Sequence, residues 1–133
     1  MKVLIIEDEI PAAKKIERLI KEIDDQIEIM AVLESVENAS NWLTLNAEPD
    51  LIFCDIQLED GISFEIFEKV KISAPIIFIT AFDKYAIDAF KLNSLDYILK
   101  PVTLQALQNA IIKYKTFFDK SILQKKYADL FEK

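Results

Sequence analysis

The sequence predicts an α/β fold: a doubly wound, five-stranded parallel sheet with five helices covering its two faces. Three observations carry that reading. Short, mostly β-branched apolar runs alternate strictly with longer segments of helical spacing, as in parallel strands joined by right-handed crossovers. The chain has 133 residues, enough for one domain with a proper core, and 52% of them are hydrophobic. Gly61 is the single glycine and prolines number four, so no stretch suits a long flexible linker; repeats and low-complexity segments are absent as well. Five strand–helix units in about 118 residues are too few for an eight-fold barrel, which leaves the open sheet.

The elements follow in order. The first strand is Val3–Ile6, and the helix after it shows an apolar stripe of Ile10, Ala13, Ile16, Leu19, Ile20 and Ile23. The second strand is Ile27–Leu33. Its helix, Val36–Leu45, is the least marked of the five and rests mainly on Trp42 and Leu45. The third strand, Leu51–Cys54, precedes a stripe of Phe64, Phe67 and Val70, and the fourth, Ile76–Ile79, precedes Ala86, Ala89 and Phe90. The fifth, Tyr97–Leu99, leads into the clearest stripe, Leu104, Leu107, Ile111, Tyr114 and Phe118. Trp42 and the phenylalanines are assigned to the core. Cys54, on a buried strand, reads as a small core hydrophobe rather than a redox group.

Composition excludes several functions. With no histidine, the chain has no imidazole base, no histidine metal ligand and no Ser-His or Cys-His pair. One cysteine rules out an internal disulfide and a multi-thiolate zinc site. Sixteen Lys and Arg against 23 Asp and Glu give a net charge of −7 and a pI near 4.6, which argues against nucleic-acid binding by this chain's own surface. No apolar run approaches the roughly 18 residues that span a bilayer. The amino terminus lacks a signal-peptide layout, since Glu7-Asp8-Glu9 follows directly on the first strand. A cytoplasmic setting is expected, with no membrane partner.

In doubly wound sheets function sits beyond the carboxyl ends of the strands, at the topological switch point. The first strand runs into Glu7-Asp8-Glu9, the third into Asp55, the fourth into Thr80-Ala81 and the fifth into Lys100-Pro101. Taken singly, each has a bland reading. Asp8 caps the first helix, Asp55 opens a loop, Thr80 caps the fourth helix and Lys100 is a solvated charge. Together they share one chemistry. Clustered carboxylates without nitrogen or sulfur ligands suit Mg²⁺, an aspartate is a nucleophile for phosphoryl groups, and Lys100 and Thr80 offer a cation and a hydroxyl to phosphoryl oxygens. The parts describe an aspartyl-phosphate site.

Four stretches, in the same order, resemble the receiver domain of bacterial two-component response regulators. They are Val3-Leu4-Ile5-Ile6-Glu7-Asp8-Glu9, Leu51-Ile52-Phe53-Cys54-Asp55-Ile56-Gln57-Leu58, Pro75-Ile76-Ile77-Phe78-Ile79-Thr80-Ala81-Phe82 and Leu95-Asp96-Tyr97-Ile98-Leu99-Lys100-Pro101. The resemblance implies a flavodoxin-like sheet of order 2-1-3-4-5 and a phosphoacceptor at Asp55. It implies a Mg²⁺ site formed by Asp8, Asp55 and the backbone carbonyl of Gln57, with Glu7 acting through a metal-bound water. It also makes Thr80 and Tyr97 a switch pair, Lys100 the phosphoryl-contacting lysine, and Lys100–Pro101 a cis peptide. The loop Leu58-Glu59-Asp60-Gly61 departs from the family in lacking the proline often found two residues after Gln57.

The wording of Ala81-Phe82-Asp83-Lys84-Tyr85-Ala86 and Ala89-Phe90-Lys91-Leu92-Asn93-Ser94 is closer still to receivers of LytTR-type transcription regulators. That likeness implies a receiver over residues 1–118, a linker helix over 119–133, and a β-rich DNA-binding output domain beyond Lys133. The implied function is phosphorelay signalling, not turnover catalysis. A sensor histidine kinase donates the phosphoryl group, and a homodimer can form through the fourth helix, fifth strand and fifth helix. Two alternatives stand beside it: a Mg²⁺-dependent phosphohydrolase using Asp55 as nucleophile, and a stand-alone dimerisation module. The hydrolase lacks the second acid that such enzymes commonly carry at the position of Gln57.

Overall fold

The protein, described here by a computed structural model, is defined over residues 1–118; the linker helix expected over 119–133 lies outside the described residues. In chain order the elements are β1 (Lys2–Ile6), α1 (Ile10–Ile23), β2 (Glu28–Leu33), α2 (Val36–Leu45), β3 (Leu51–Cys54), β4 (Gln57–Leu58), β5 (Gly61–Ile62), α3 (Phe64–Lys69), β6 (Ile76–Thr80), α4 (Ala86–Phe90), β7 (Ser94–Leu99) and α5 (Leu104–Phe118). The five long strands are all parallel and lie in the order β2-β1-β3-β6-β7. With the small antiparallel hairpin β4–β5 set aside, this is the expected 2-1-3-4-5 sheet.

The central strands are apolar because both of their faces are covered. Val3, Ile5, Leu51, Phe53, Ile77 and Ile79 pack on one side against Ile16, Leu19 and Ile20 of α1 and Leu107, Ala110 and Ile111 of α5. The intervening Leu4, Ile6, Ile52, Cys54, Ile76 and Phe78 pack on the other against Val36, Ala39 and Leu43 of α2, Ile66 of α3 and Ala89 of α4. The alternation within each strand therefore sorts the side chains into two cores, one per face. The winding reverses between β1 and β3, so the residues just past these strands stand together at one edge of the sheet.

Several expectations need correction. The edge strands β2 and β7 are half exposed rather than buried on both faces, and β2 shows Met30 and Val32 to solvent. β7 begins at Ser94, three positions before Tyr97, pairing Ser94 with Ile76 and Asp96 with Ile77. An edge strand tolerates polar residues, so its first half carries no apolar run to read. Ile10, Leu45, Leu104 and Phe90 lie on the expected stripes but are exposed, as are Phe82 and Phe117, so these phenylalanines are not core. α2 buries Val36, Ala39, Ser40 and Leu43 in place of Leu45, and Trp42 packs only partly against them. α3 ends before Val70, which is extended, and its buried residue is Ile66.

The β4–β5 hairpin was not expected. Gln57 pairs with Ile62 and Leu58 with Gly61, whose φ of 149° is a conformation that favours glycine. Asp60, in the turn, accepts the N–H groups of Val36 at 2.8 Å and Glu37 at 3.1 Å. With Ser35 Oγ accepting Asn38 N–H at 3.0 Å, the first turn of α2 is capped from two sides. The hairpin is thereby anchored beside the strand ends.

Candidate functional site

The main chain places the first groups. Glu7 N–H donates to the Leu33 carbonyl at 2.8 Å and Asp55 N–H donates to the Ile6 carbonyl at 2.9 Å, so both acids continue the sheet ladder past their strands. On the far side, Lys100 N–H donates to the Thr80 carbonyl at 2.8 Å, and Lys100–Pro101 is cis. These backbone bonds bring four strand ends, widely separated in sequence, to one edge.

The side chains then meet. Lys100 Nζ lies 2.6 Å from Glu7 Oε1 and 2.8 Å from Asp55 Oδ2. Asp55 Oδ1 accepts the Ile56 N–H at 2.6 Å, and Glu7 Oε2 accepts the Glu9 N–H at 3.3 Å. Carboxylate oxygens of Glu7, Asp8 and Asp55 lie within 4.8 Å of one another. Thr80 is fully buried at the end of β6, and its Oγ1 has no hydrogen-bond partner. Among the described residues the buried Ser40 and Ser63 hydroxyls share that state, but only Thr80 ends a strand at this edge.

The electrostatics record crowding. Burial pushes the Glu7 carboxyl up to about 7; the Lys100 bond holds it down in part, and the neighbouring Asp55 charge raises it again. Lys100 is itself raised, because its bonds to Asp55 and Glu7 outweigh a burial that acts the other way. One ammonium thus serves two acids in a site that holds three.

Three of the four single-residue readings fail, while Asp55 does stand where the chain leaves β3. The N-cap position of α1 is Glu9, with no side chain bonded across it, so Asp8 caps nothing; Thr80 does not cap α4, where Tyr85 holds that position. Lys100 is paired, not solvated. The side chains of the other two expected residues bond outside the cluster. Tyr97 is half buried, its hydroxyl donates to the Phe82 carbonyl, and its ring centroid is 6.4 Å from that of Phe78. Gln57 turns its side chain away and donates from Nε2 to the Tyr85 hydroxyl at 2.9 Å. Cys54 keeps its core role: it is buried, burial drives its thiol pKa up, and Sγ donates to the Asp55 carbonyl at 3.1 Å.

Sequence reasoning missed two features here. The hairpin was legible, because Glu59-Asp60-Gly61 carries a turn signal between Leu58 and Ile62. Tyr85 was not, since nothing in its local sequence points to Gln57.

With this geometry established, the comparisons decide the family. Residues 3–112 match the model of the response regulator receiver domain. The chain belongs to that family. Curated relatives of this receiver include the sensory transduction protein LytT of Bacillus anthracis, 40% identical over 118 residues, and the transcriptional regulatory protein LytR of Staphylococcus aureus, 39% identical over 118 residues. Each alignment covers 86% of this chain and 47% of the relative, so the chain spans about half the length of the curated relatives it matches. Among solved structures, the response regulatory domain of mrkE from Klebsiella pneumoniae superposes with a TM-score of 0.77 at 34% identity, covering 87% of this chain and 96% of that one. A two-component response regulator from Clostridium difficile superposes at 0.73 with 26% identity, over 95% and 98% of the two chains. Over its matched length the receiver is similar to those of the LytT and LytR relatives. Among the described residues, no helix is long and apolar enough to cross a membrane.

Proposed function

We propose that this receiver takes a phosphoryl group onto Asp55 from a phosphohistidine of a sensor kinase, and that the adduct changes the α4–β7–α5 face to control an output. One Asp55 oxygen bonds to phosphorus as the bond from phosphorus to the donor's ring nitrogen breaks, and the electron pair leaves on that nitrogen. The observation that carries this reading is the Lys100 ammonium bridging Glu7 and Asp55 beside the buried, unpartnered Thr80 hydroxyl. A cation, a nucleophile and a free hydroxyl are what a phosphoryl group needs in order to be attacked and then held.

The donor set fits Mg²⁺: every side-chain ligand is a carboxylate oxygen, and the three acids converge within 4.8 Å. Asp8, Asp55 and the Gln57 carbonyl would hold the ion, with Glu7 reached through a water. When bound, it supplies positive charge to phosphoryl oxygens that Lys100 alone cannot neutralise. The chain's own residues do the remaining work. Asp55 is held by the Ile56 N–H and Lys100, Lys100 follows the new charge, and the Thr80 hydroxyl turns to a phosphoryl oxygen. That movement empties space beside β7 into which Tyr97 can turn once its bond to the Phe82 carbonyl is given up.

The domain works as a switch carrying one group per site, and not as a turnover enzyme. Its output is transcriptional control in the cytoplasm, through a DNA-binding domain elsewhere in the longer protein, and a phosphorylated homodimer forms through the α4–β7–α5 face. The test is mass measurement after incubation with acetyl phosphate and Mg²⁺. One added phosphoryl mass in the wild type, and none in Asp55→Asn, is the expected result. Continuous release of phosphate without a stable adduct would favour the hydrolase, and an adduct surviving Asp55→Asn would move the acceptor elsewhere.

A further inference from the structure

The bond from Gln57 Nε2 to the Tyr85 hydroxyl, 2.9 Å long, joins positions 28 residues apart. At one end it holds the side chain of Gln57, two places past Asp55, whose carbonyl the proposed function assigns to the ion. At the other it holds the N-cap residue of α4, whose carbonyl accepts the Ala89 N–H at 2.8 Å and so opens the helix. The Tyr85 ring stands edge-on to Phe64 and to Phe82, with centroids 6.0 and 6.4 Å away, and Lys84 Nζ lies 5.1 Å over it.

α4 has little else to fix it. Of its five residues only Ala89 is buried, while Ile87 and Phe90 are exposed. So short a helix has no stability of its own and sits where its flanks put it. The same loop carries Phe82, whose carbonyl takes the Tyr97 hydroxyl. The Thr80 hydroxyl takes no part in these contacts, since its Oγ1 has no hydrogen-bond partner.

We infer that Tyr85 is a positioning residue whose hydroxyl ties the Gln57 segment of the acidic site to the start of α4, giving the site a route to the α4 face separate from that through Thr80. This rests on the phosphoacceptor reading, since it needs an occupant beside Asp55. An occupant that engages the Gln57 backbone favours whichever placement of Tyr85 suits the new position of the side chain, and α4 follows its cap. Only such a difference between two states can shift an equilibrium. The coupling is reciprocal, so whatever binds α4 alters affinity at the site.

The experiment uses the 133-residue chain with Mg²⁺ and beryllofluoride, a phosphoryl mimic, and reads amide chemical shifts. Tyr85→Phe keeps the ring contacts and removes only the hydroxyl. The shift changes at Ile87, Ala89 and Phe90 should fall to about half of the wild-type change or less, while those at Ile56 and Thr80 persist. Gln57→Leu should reproduce the loss, and the double variant should add nothing to it, because both act through one bond. In Thr80→Ala part of the α4 response should remain. A wild-type α4 response in Tyr85→Phe, additive losses in the double variant, or complete loss of the α4 response in Thr80→Ala would overturn the inference. No response anywhere in the wild type would overturn the phosphoacceptor reading and this inference with it; a response at Ile56 and Thr80 separates the two.

Discussion

The acidic cluster and the face around α4 are built in opposite ways. Glu7 and Asp55 are 2% and 8% exposed, and each is fixed by a main-chain bond and by Lys100. Ile87 and Phe90 are 76% and 84% exposed, on a five-residue helix that buries one alanine. The first region has its groups in place before any reactant arrives, which is how positioning lowers a barrier. The second has few buried contacts, the property of segments that open or shift at low cost. Group transfer calls for the former and signalling for the latter, and the loop from Thr80 to Tyr85 joins them.

The largest effect expected is on the fixed side. Asp55→Asn should abolish the phosphoryl adduct, since no other side chain in the cluster combines the Lys100 contact with the Ile56 N–H. Intact mass after acetyl phosphate treatment measures it, and an undiminished adduct would end the division of labour drawn above. Next comes Lys100→Met. It leaves two buried acids facing each other without a cation, and breaking a buried pair from one side costs about 3–5 kcal/mol. Lys100 is 21% exposed at its side chain, so solvent reduces that to roughly 2 kcal/mol in urea unfolding near pH 8. The loss should shrink at pH 6, where Glu7 takes up a proton. An equal loss at both pH values would show that Glu7 is not part of the charge balance.

A third prediction uses Glu7 alone. Its carboxyl is raised from 4.5 to about 7 by burial, against the pull of Lys100. Between these values the folded chain holds a proton that the unfolded chain has released, so folding stability falls as pH rises through this window and levels off above it. Metal-free protein in EDTA should therefore melt several degrees lower at pH 7.5 than at pH 5.5. Glu7→Gln should flatten the difference. A melting temperature that rises across the window would mean that Glu7 is ionised in the fold throughout.

How much of this was legible in the sequence divides along the same line. β1, β3 and β6 are buried on both faces, so Val3–Ile6, Leu51–Cys54 and Ile76–Ile79 advertise themselves as apolar runs, and the residues that end them are the residues of the site. β7 and α4 belong to the exposed side. There polar residues sit in a strand from Ser94 onward, and apolar ones such as Phe90 point to solvent, so hydrophobic pattern loses its meaning as a guide to burial. Thr80 and Lys100 could be placed because they end strands. Tyr85 could not, because its partner Gln57 is a tertiary neighbour with no local signature.

The smallest effect is expected where the surface looks most apolar. Phe90→Ser and Ile87→Ser each remove a large side chain that is already in water, so neither creates a cavity nor strands a polar group. Substitutions away from such features stay within about 0.5 kcal/mol. Phe53→Ala, in the fully buried β3, should instead cost about 3–5 kcal/mol by the same urea measurement. The contrast is informative because Phe90 and Phe53 are the same residue type in opposite surroundings. If Phe90→Ser cost 2 kcal/mol or more, α4 would be packed in solution on something the isolated chain does not provide, such as a second copy. Sedimentation at two concentrations then decides the matter. A Phe90 cost that vanishes on dilution would assign the exposed ring to an interface, whereas a cost independent of concentration would show that α4 is not the loosely held element that the comparison makes it.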